Sequence, residues 1–213
     1  MTALKFTVGT HNLHDAAGKP TIFADLQVFT EAVPAKIRAR LRGTPFRMAV
    51  CHQQRDLVVV WDRRVFRRQR LVRLRYAKYV DGWAKVTPNR GTFTVPLIHR
   101  KTGRKIRVNA EHRINAAFKP FIRGEASFRA NKWSAHTKGT LGIMRRQDKA
   151  GHLVLSAGDD NTPRGVHAYP GWNEAGDHFD RIGSNARLSH ADELSREGSD
   201  HPRIRATLTE EKP

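Results

Sequence analysis

Six oxygen- and imidazole-bearing residues, far apart in the chain, stand beside segments that read as strands. Asn12 follows the first such segment and Glu31 the second. Asp159 and Asn161 follow the run Leu153–Ser156, and Asp200 and His201 precede the last one. Strands that lie side by side bring their ends together, so one rim can gather all six. Oxygen donors of this kind suit Mg²⁺ or Mn²⁺, which keep several waters and take one or two carboxylates plus a substrate phosphate. A histidine beside a carboxylate can then activate water. Taken singly, each residue has a plainer reading: Asn12 as a turn residue, Glu31 as a solvated charge before Pro34, Asp159 with Asn161 as an Asx-turn, and Asp200 with His201 as a cap.

The segments that must position these groups follow from hydropathy. Strands are predicted at Leu4–Val8, Asp25–Glu31, Phe46–Cys51, Asp56–Trp61, Leu71–Tyr76, Thr92–Ile98 and Lys105–Ala110, and again at Leu153–Leu155, His178–Ile182 and Ile204–Leu208. The turn-like Lys101-Thr102-Gly103-Arg104 makes a hairpin of two of them. A short basic helix is predicted over Ala35–Leu41 after Pro34. A long helix is predicted from about Glu125 to Gln147, weakened by Gly139 and Gly142. Many strands and few helices imply antiparallel sheets packed face to face, with helices outside. A chain of 213 residues fits one domain, here 1–208, with Thr209–Pro213 as a flexible tail.

Composition narrows the function. The single cysteine, Cys51, excludes an intramolecular disulfide framework and reads as a small core residue. His11 and His14 form no zinc signature, there being neither a cysteine cluster nor a His-Glu-x-x-His helix. No apolar run is long enough for a membrane span, and no signal peptide is read, so a cytoplasmic protein is expected, without an obligate protein partner.

Charge is the strongest signal: 39 Lys and Arg against 20 Asp and Glu give +19. Residues 1–158 carry net +23 and residues 159–213 net −4, a basic body with an acid-enriched end. Nucleic acid is the expected partner of such a field. Arg63 to Lys78 holds eight cations and no acid; Arg73 and Arg75, on one predicted strand, would point outward in a row. Arg100, Lys101, Arg104, Lys105 and Arg107 form a second cluster around the hairpin turn. Both clusters are candidate phosphate contacts, and no base-reading module accompanies them.

The order of motifs resembles the endonuclease/exonuclease/phosphatase superfamily. The matching residues are Gly9-Thr10-His11-Asn12-Leu13, Asp25–Glu31, Val108-Asn109-Ala110-Glu111-His112, Gly158-Asp159-Asp160-Asn161, Phe179-Asp180-Arg181-Ile182 and Ser199-Asp200-His201-Pro202, spanning nearly the whole chain. The resemblance implies a four-layered α/β/β/α sandwich, of the α/β (α+β) class. It implies that Glu31 binds the principal divalent cation with Asn12 close by, and that Asp200 is a further metal-side ligand. Asp159 and Asn161 would contact the scissile phosphate and the attacking water. His201 would be the catalytic histidine, oriented by Asp180, and His112 would bind the phosphate. Thr30 replaces the family's usual Gln before the metal Glu, and Asp160 replaces an apolar residue, placing a second carboxylate beside Asp159. Only 18 residues separate Asn161 from Asp180, a shortened stretch for this family.

The expectation is therefore a divalent-metal-dependent phosphodiesterase acting on DNA, an endonuclease of low sequence specificity. The alternatives are a non-catalytic DNA-binding protein on the same fold, or a phosphoesterase for RNA, abasic DNA or a small phosphoester. Small phosphoesters do not call for +19.

Overall fold

The structure, a computed structural model, describes residues 4–14, 18–80, 90–113, 125–162, 167–176, 180–196, 199 and 201–210. The chain runs through β1 (Leu4–Asn12), β2 (Leu26–Thr30), α1 (Pro34–Arg40), β3 (Phe46–Val50), β4 (Val58–Asp62), β5 (Phe66–Arg68) and β6 (Arg75–Val80). It continues through β7 (Arg90–His99), β8 (Lys105–His112), α2 (Glu125–Lys149), β9 (Leu153–Asp159), β10 (Asn173–Gly176), β11 (Asp180–Ser184), β12 (Arg187–Leu194) and β13 (Arg203–Glu210). One sheet has the order β12-β13-β1-β2-β4-β3. The other has the order β10-β11-β9-β8-β7-β5, with β6 also pairing with β7. Each is antiparallel except for one central parallel pair, β1 with β2 and β8 with β9. The second of these needs a crossover, which α2 supplies.

Period-two alternation builds the sandwich. Phe6, Val8, Leu26, Val28, Val59, Trp61, Ile204, Ala206 and Leu208 of the first sheet share one core with residues of the second. The latter include Phe93, Val95, Leu97, Ile106, Val108, Leu153, Leu155 and Ile182. On the outer face of the first sheet, Phe29, Val58 and Val60 meet Ile37 and Leu41 of the α1 region. On the outer face of the second, Val154 meets Leu141 and Met144 of α2. The result is the expected α/β/β/α order. The helix α2 runs unbroken through its two glycines; at Gly139 a Cβ would sit 2.3 Å from the Tyr79 ring, so the bare backbone is what lets β6 pack against it.

The structure corrects several boundaries. Residues 71–74 are not in a strand: β6 begins at Arg75, so Arg73 and Arg75 do not stand in one strand row. The cause is the ladder on β7, whose one edge is shared by β5 (Arg68 opposite Leu97) and β6 (Arg75 opposite Thr94). The intervening chain must bridge the gap. It does so with a Gln69 N–H to Pro96 O bond and a turn that leaves Leu71 wholly exposed. Asp25 precedes β2 and accepts hydrogen bonds from the Thr7 N–H (2.8 Å) and hydroxyl (2.7 Å). Thr209 and Glu210 belong to β13 rather than to a tail, and Glu210 holds Arg104 through two oxygens at 2.5 and 2.8 Å. Strands β5, β10 and β12 were not legible in the sequence. The predicted start at His178 lies outside the described residues.

Gly158, one residue before Asp159, sits at φ +150°, and a Cβ there would lie 1.8 Å from the Glu111 carbonyl oxygen. Gly158→Ala is therefore expected to destabilise the fold by about 2–3 kcal/mol, because the obstacle is backbone rather than a movable side chain. Thermal or urea unfolding checks this; an unchanged midpoint would show that the β8–β9 pairing yields at this point.

Candidate active site

Strand register sets the site. His112 on β8 lies opposite Asp159 on β9, and Asp159 lies opposite Asp180 on β11, so three polar residues share one level of one sheet. On the other sheet Asn12 ends β1 opposite Thr30, and Glu31 follows at once. His201 precedes β13, whose Ile204 lies opposite Thr10 of β1. The two sheets present these ends to each other. The Asn12 amide donates to Asp159 Oδ2 at 2.8 Å, and Thr10 hydroxyl lies 3.4 Å from Asp180 Oδ1. His201 Nδ1 lies 2.8 Å from Asp180 Oδ2. His112 Nε2 is 3.4 Å from both Glu31 Oε1 and Asp159 Oδ2.

Local backbone supports the arrangement. Asn161 adopts φ +49°, which Asn tolerates, and its N–H closes an Asx-turn on Asp159 Oδ1 at 3.1 Å. Its side-chain amide donates to the Arg113 carbonyl at 3.2 Å. Glu31 also has φ +49°, a conformation that costs an ordinary side chain about 1–2 kcal/mol. Such strain persists where the surroundings overdetermine it, often at functional positions.

Glu31, His112 and Asp159 each offer one ligand atom within 4.8 Å of the others, a spacing suited to a single cation. An imidazole and two carboxylates are acceptable donors for Mn²⁺, while Mg²⁺ favours the oxygens. Nε2 of His112 can serve as a ligand only when the proton sits on Nδ1. In that tautomer Asp56 Oδ2, 3.1 Å away, would accept that proton's hydrogen bond. Arg90 Nη1 is 2.5 Å from the same Nδ1 and 3.3 Å from Asp56, and it favours the opposite tautomer. Burial pushes the Asp56 carboxyl up, but His112 and Arg90 outweigh it and hold the group below the ordinary carboxylate range.

Asp160 does not compete with Asp159. It points to the far side of its strand, wholly buried, where Thr162 N–H donates to Oδ1 and the nearest guanidinium, Arg181, is 4.0 Å away. Burial lifts its carboxyl well above the ordinary range. The same layer under α2 holds a fully buried ion pair. Glu111 accepts from Arg113 Nε (3.0 Å), Ser156 Oγ (2.9 Å), Thr140 Oγ1 (3.1 Å) and Tyr169 Oη (2.5 Å). Trp133 and Tyr169 rings each lie 5.2 Å from the Arg113 guanidinium carbon. Burial opposes the charge on Glu111, but Arg113 prevails and its pKa falls to about 2. His136, also fully buried, is pushed down to about 3 by burial, so its 3.5 Å approach to Glu111 is not an ion pair at neutral pH.

This network touches the site through the backbone: Arg113 N–H donates to the Asp159 carbonyl at 2.8 Å, and Asn161 bonds back to Arg113. Asp56, Arg90, Glu111 and Arg113 were not read from the sequence as site residues. Asp56 and Arg90 belong to different sequence neighbourhoods and meet His112 only through strand pairing.

Of the residues expected to meet, Asn12, Glu31, His112, Asp159, Asn161, Asp180 and His201 are brought together; Asp200 lies outside the described residues. The expected phosphate contacts are not part of this rim. Arg73 and Arg75 line a hollow of about 710 Å³ under α2, with Arg107 and Arg146. Arg100, Lys101, Arg104 and Lys105 sit at the other end of the sandwich, and Arg104 is engaged by Glu210.

No family model and no curated protein sequence matches the chain. Its backbone has the fold of the endonuclease/exonuclease/phosphatase superfamily. A member of that family from Bacteroides thetaiotaomicron is 12% identical over the whole of both chains, with a TM-score of 0.71. The human Nocturnin catalytic domain is 13% identical, covering 97% of this chain and 96% of its own, at 0.67. Caenorhabditis elegans TDP2 is 15% identical, covering 98% of this chain and 76% of its own, at 0.69. A Danio rerio TDP2 complex with a single-strand DNA product is 13% identical at 0.63, covering 96% of this chain and 98% of its own. Among the described residues no helix is long and apolar enough to cross a membrane.

Two outcomes test the buried network. Arg113→Met alone is expected to cost about 3–5 kcal/mol because Glu111 is left buried and charged, whereas Arg113→Met with Glu111→Leu should recover much of that. Additive losses in urea unfolding would mean the pair is not coupled. For pH, the folded-state pKa of His136 is depressed, so the unfolded chain takes up its proton first. The resulting stability is full above pH 6.5 and is lost as pH falls toward about 3. His136→Gln should flatten the wild-type decline in unfolding midpoint across that window; an equally steep decline would assign it to other groups.

Proposed function

We propose that the protein is a divalent-metal-dependent phosphodiesterase that hydrolyses DNA, as an endonuclease of low sequence specificity. The observation that supports this most is the convergence, at one rim, of an oriented His201–Asp180 pair with the Glu31, His112 and Asp159 cluster. One group is fit to move a proton and the other to hold a cation. The net charge of +19 favours a polyanionic substrate, and the Danio rerio TDP2 structure of the same fold holds single-strand DNA product.

In this reading Glu31 and Asp159, with His112, hold Mg²⁺ or Mn²⁺, and Asn12 fixes the Asp159 carboxylate. A cation held there would supply positive charge to polarise the phosphoryl oxygen and offset the leaving oxyanion. Asp180 accepts from Nδ1 of His201, which fixes that proton and makes Nε2 the basic nitrogen. His201 is then placed to take a proton from an attacking water, as in other His–carboxylate pairs. Asn161, braced on Arg113 and Asp159, is assigned an orienting role toward the phosphate. Asp200 is assigned a further metal-side role on the resemblance alone.

The test is nicking of supercoiled plasmid in Mg²⁺ and in Mn²⁺, with an EDTA control. His201→Ala is expected to reduce the rate by about 10²–10⁴-fold, the usual contribution of a positioned acid or base. Glu31→Gln should do the same at low metal concentration. No cleavage by the wild type with either metal, or undiminished cleavage by His201→Ala, overturns the assignment.

A further inference from the structure

The sequence carries two separate arginine clusters, and the fold joins them. Arg63, Arg67, Arg68 and Arg70 come from the β4–β5–β6 stretch, Arg100 from the β7–β8 hairpin and Arg47 from β3. All six line a single groove of about 890 Å³. The junction is built by pairing: β3 and β5 are the edge strands on the same side of the two sheets, joined through β4 and the turn at Asp62–Val65. Arg67 lies opposite Ile98, which brings β5 beside the hairpin. Arg100 then spans the join, its Nε donating to the Arg63 carbonyl at 2.6 Å.

All six side chains are exposed, and none forms an ion pair among the described residues, although Arg63 lies in the field of Asp62. The nearby carboxylate, Asp62, is already held by Arg64 at 2.6 Å. The groove stands apart from the reactive rim. Ile98 pairs with Lys105, and β8 runs seven residues from there to His112, which at about 3.3 Å per residue is about 23 Å.

We infer that this groove is a second nucleic-acid contact surface, an anchor for phosphate backbone remote from the bonds being cut. The inference rests on the proposed nucleolytic role for the choice of polyanion. Within that choice the residues are specific. Every cation lining the groove is an arginine, whose planar fork takes two phosphate oxygens at once, and no lysine is among them. The groove is concave. Its one wholly exposed apolar side chain is Leu71, too little apolar area to seat the protein in a bilayer. The anchor supplies affinity without sequence reading, since phosphate contacts position and do not specify. It also holds DNA to the protein whether or not the rim is engaged, so substrate length enters affinity separately from chemistry.

The test is binding of a 30-base-pair duplex in EDTA, across a salt series, by wild type and by two charge-matched triple variants. One removes Arg67, Arg68 and Arg70 (each →Ala); the other removes Arg38, Arg40 and Arg42 on and after α1, likewise exposed. The groove variant is expected to bind at least 10-fold more weakly. The slope of log affinity against log salt should become shallower by about 2–3, since each phosphate that is no longer neutralised takes about 0.9 from it. The α1 variant should change little. Equal losses in both variants would mean that net charge alone attracts DNA, and no loss in the groove variant would remove the anchor; either overturns the inference. A vesicle of anionic lipid in place of DNA is expected to show no selective loss in the groove variant; a loss confined to vesicles overturns it in favour of a membrane. Because binding is read in EDTA, failure here is distinct from failure of catalysis, which the plasmid assay reads.

Discussion

The contacts that organise the candidate site cross from one sheet to the other. Asn12 reaches Asp159, Glu31 approaches His112, Thr10 approaches Asp180, and His201 pairs with Asp180. In each of these the first partner comes from the sheet of β1 and β13 and the second from the sheet of β8, β9 and β11. The constraint beneath everything else is therefore the face-to-face packing of two sheets on one shared core. A one-residue slip in the pairing of β1, β9 or β11 would turn that strand's side chains to the opposite face and break the pair it supplies.

The second support is less ordinary. A charged pair, Glu111 and Arg113, lies wholly buried beneath α2, flanked by two aromatic rings and satisfied by three hydroxyls. Buried ion pairs are weak evidence of stability, because desolvation opposes them. Their use here is better described as placement: the residue between the two, His112, faces the rim, while the flanking pair faces α2. Alternation along β8 thus fastens one side of the strand by charge and turns His112, on the other side, toward Glu31 and Asp159.

Much of this was legible in the sequence because it depends on period-two patterning and on strand ends. The core strands, both helices and the meeting of Asn12, Glu31, His112, Asp159, Asn161, Asp180 and His201 all follow from local signals plus motif order. What was not legible depends on pairing between distant segments. Asp56 and Arg90 reach His112 only because β4 and β7 stand where they do. The apparent row at Arg73 and Arg75 failed because alternation is a property of extended chain in general, whereas a strand also needs an unoccupied ladder. On β7 that ladder was already divided between β5 and β6. The second carboxylate of the Gly-Asp-Asp-Asn turn could be assigned only from side-chain direction, which placed it against Thr162 N–H and Arg181 rather than at the rim.

The left-handed backbone at Glu31 has a consequence for how this chain can change. A residue with a Cβ held at φ +49° is a poor choice for stability alone, and glycine would relax there. Under the proposed role of Glu31, position 31 is thus a point at which fitness for folding and fitness for chemistry pull toward different amino acids. Lineages released from the need for a carboxylate would be expected to drift toward glycine or asparagine at this position, whereas the buried core residues around it would stay fixed. If the proposed role of Glu31 is right, the amino acid found at position 31 is in that sense a record of whether that role is still in use.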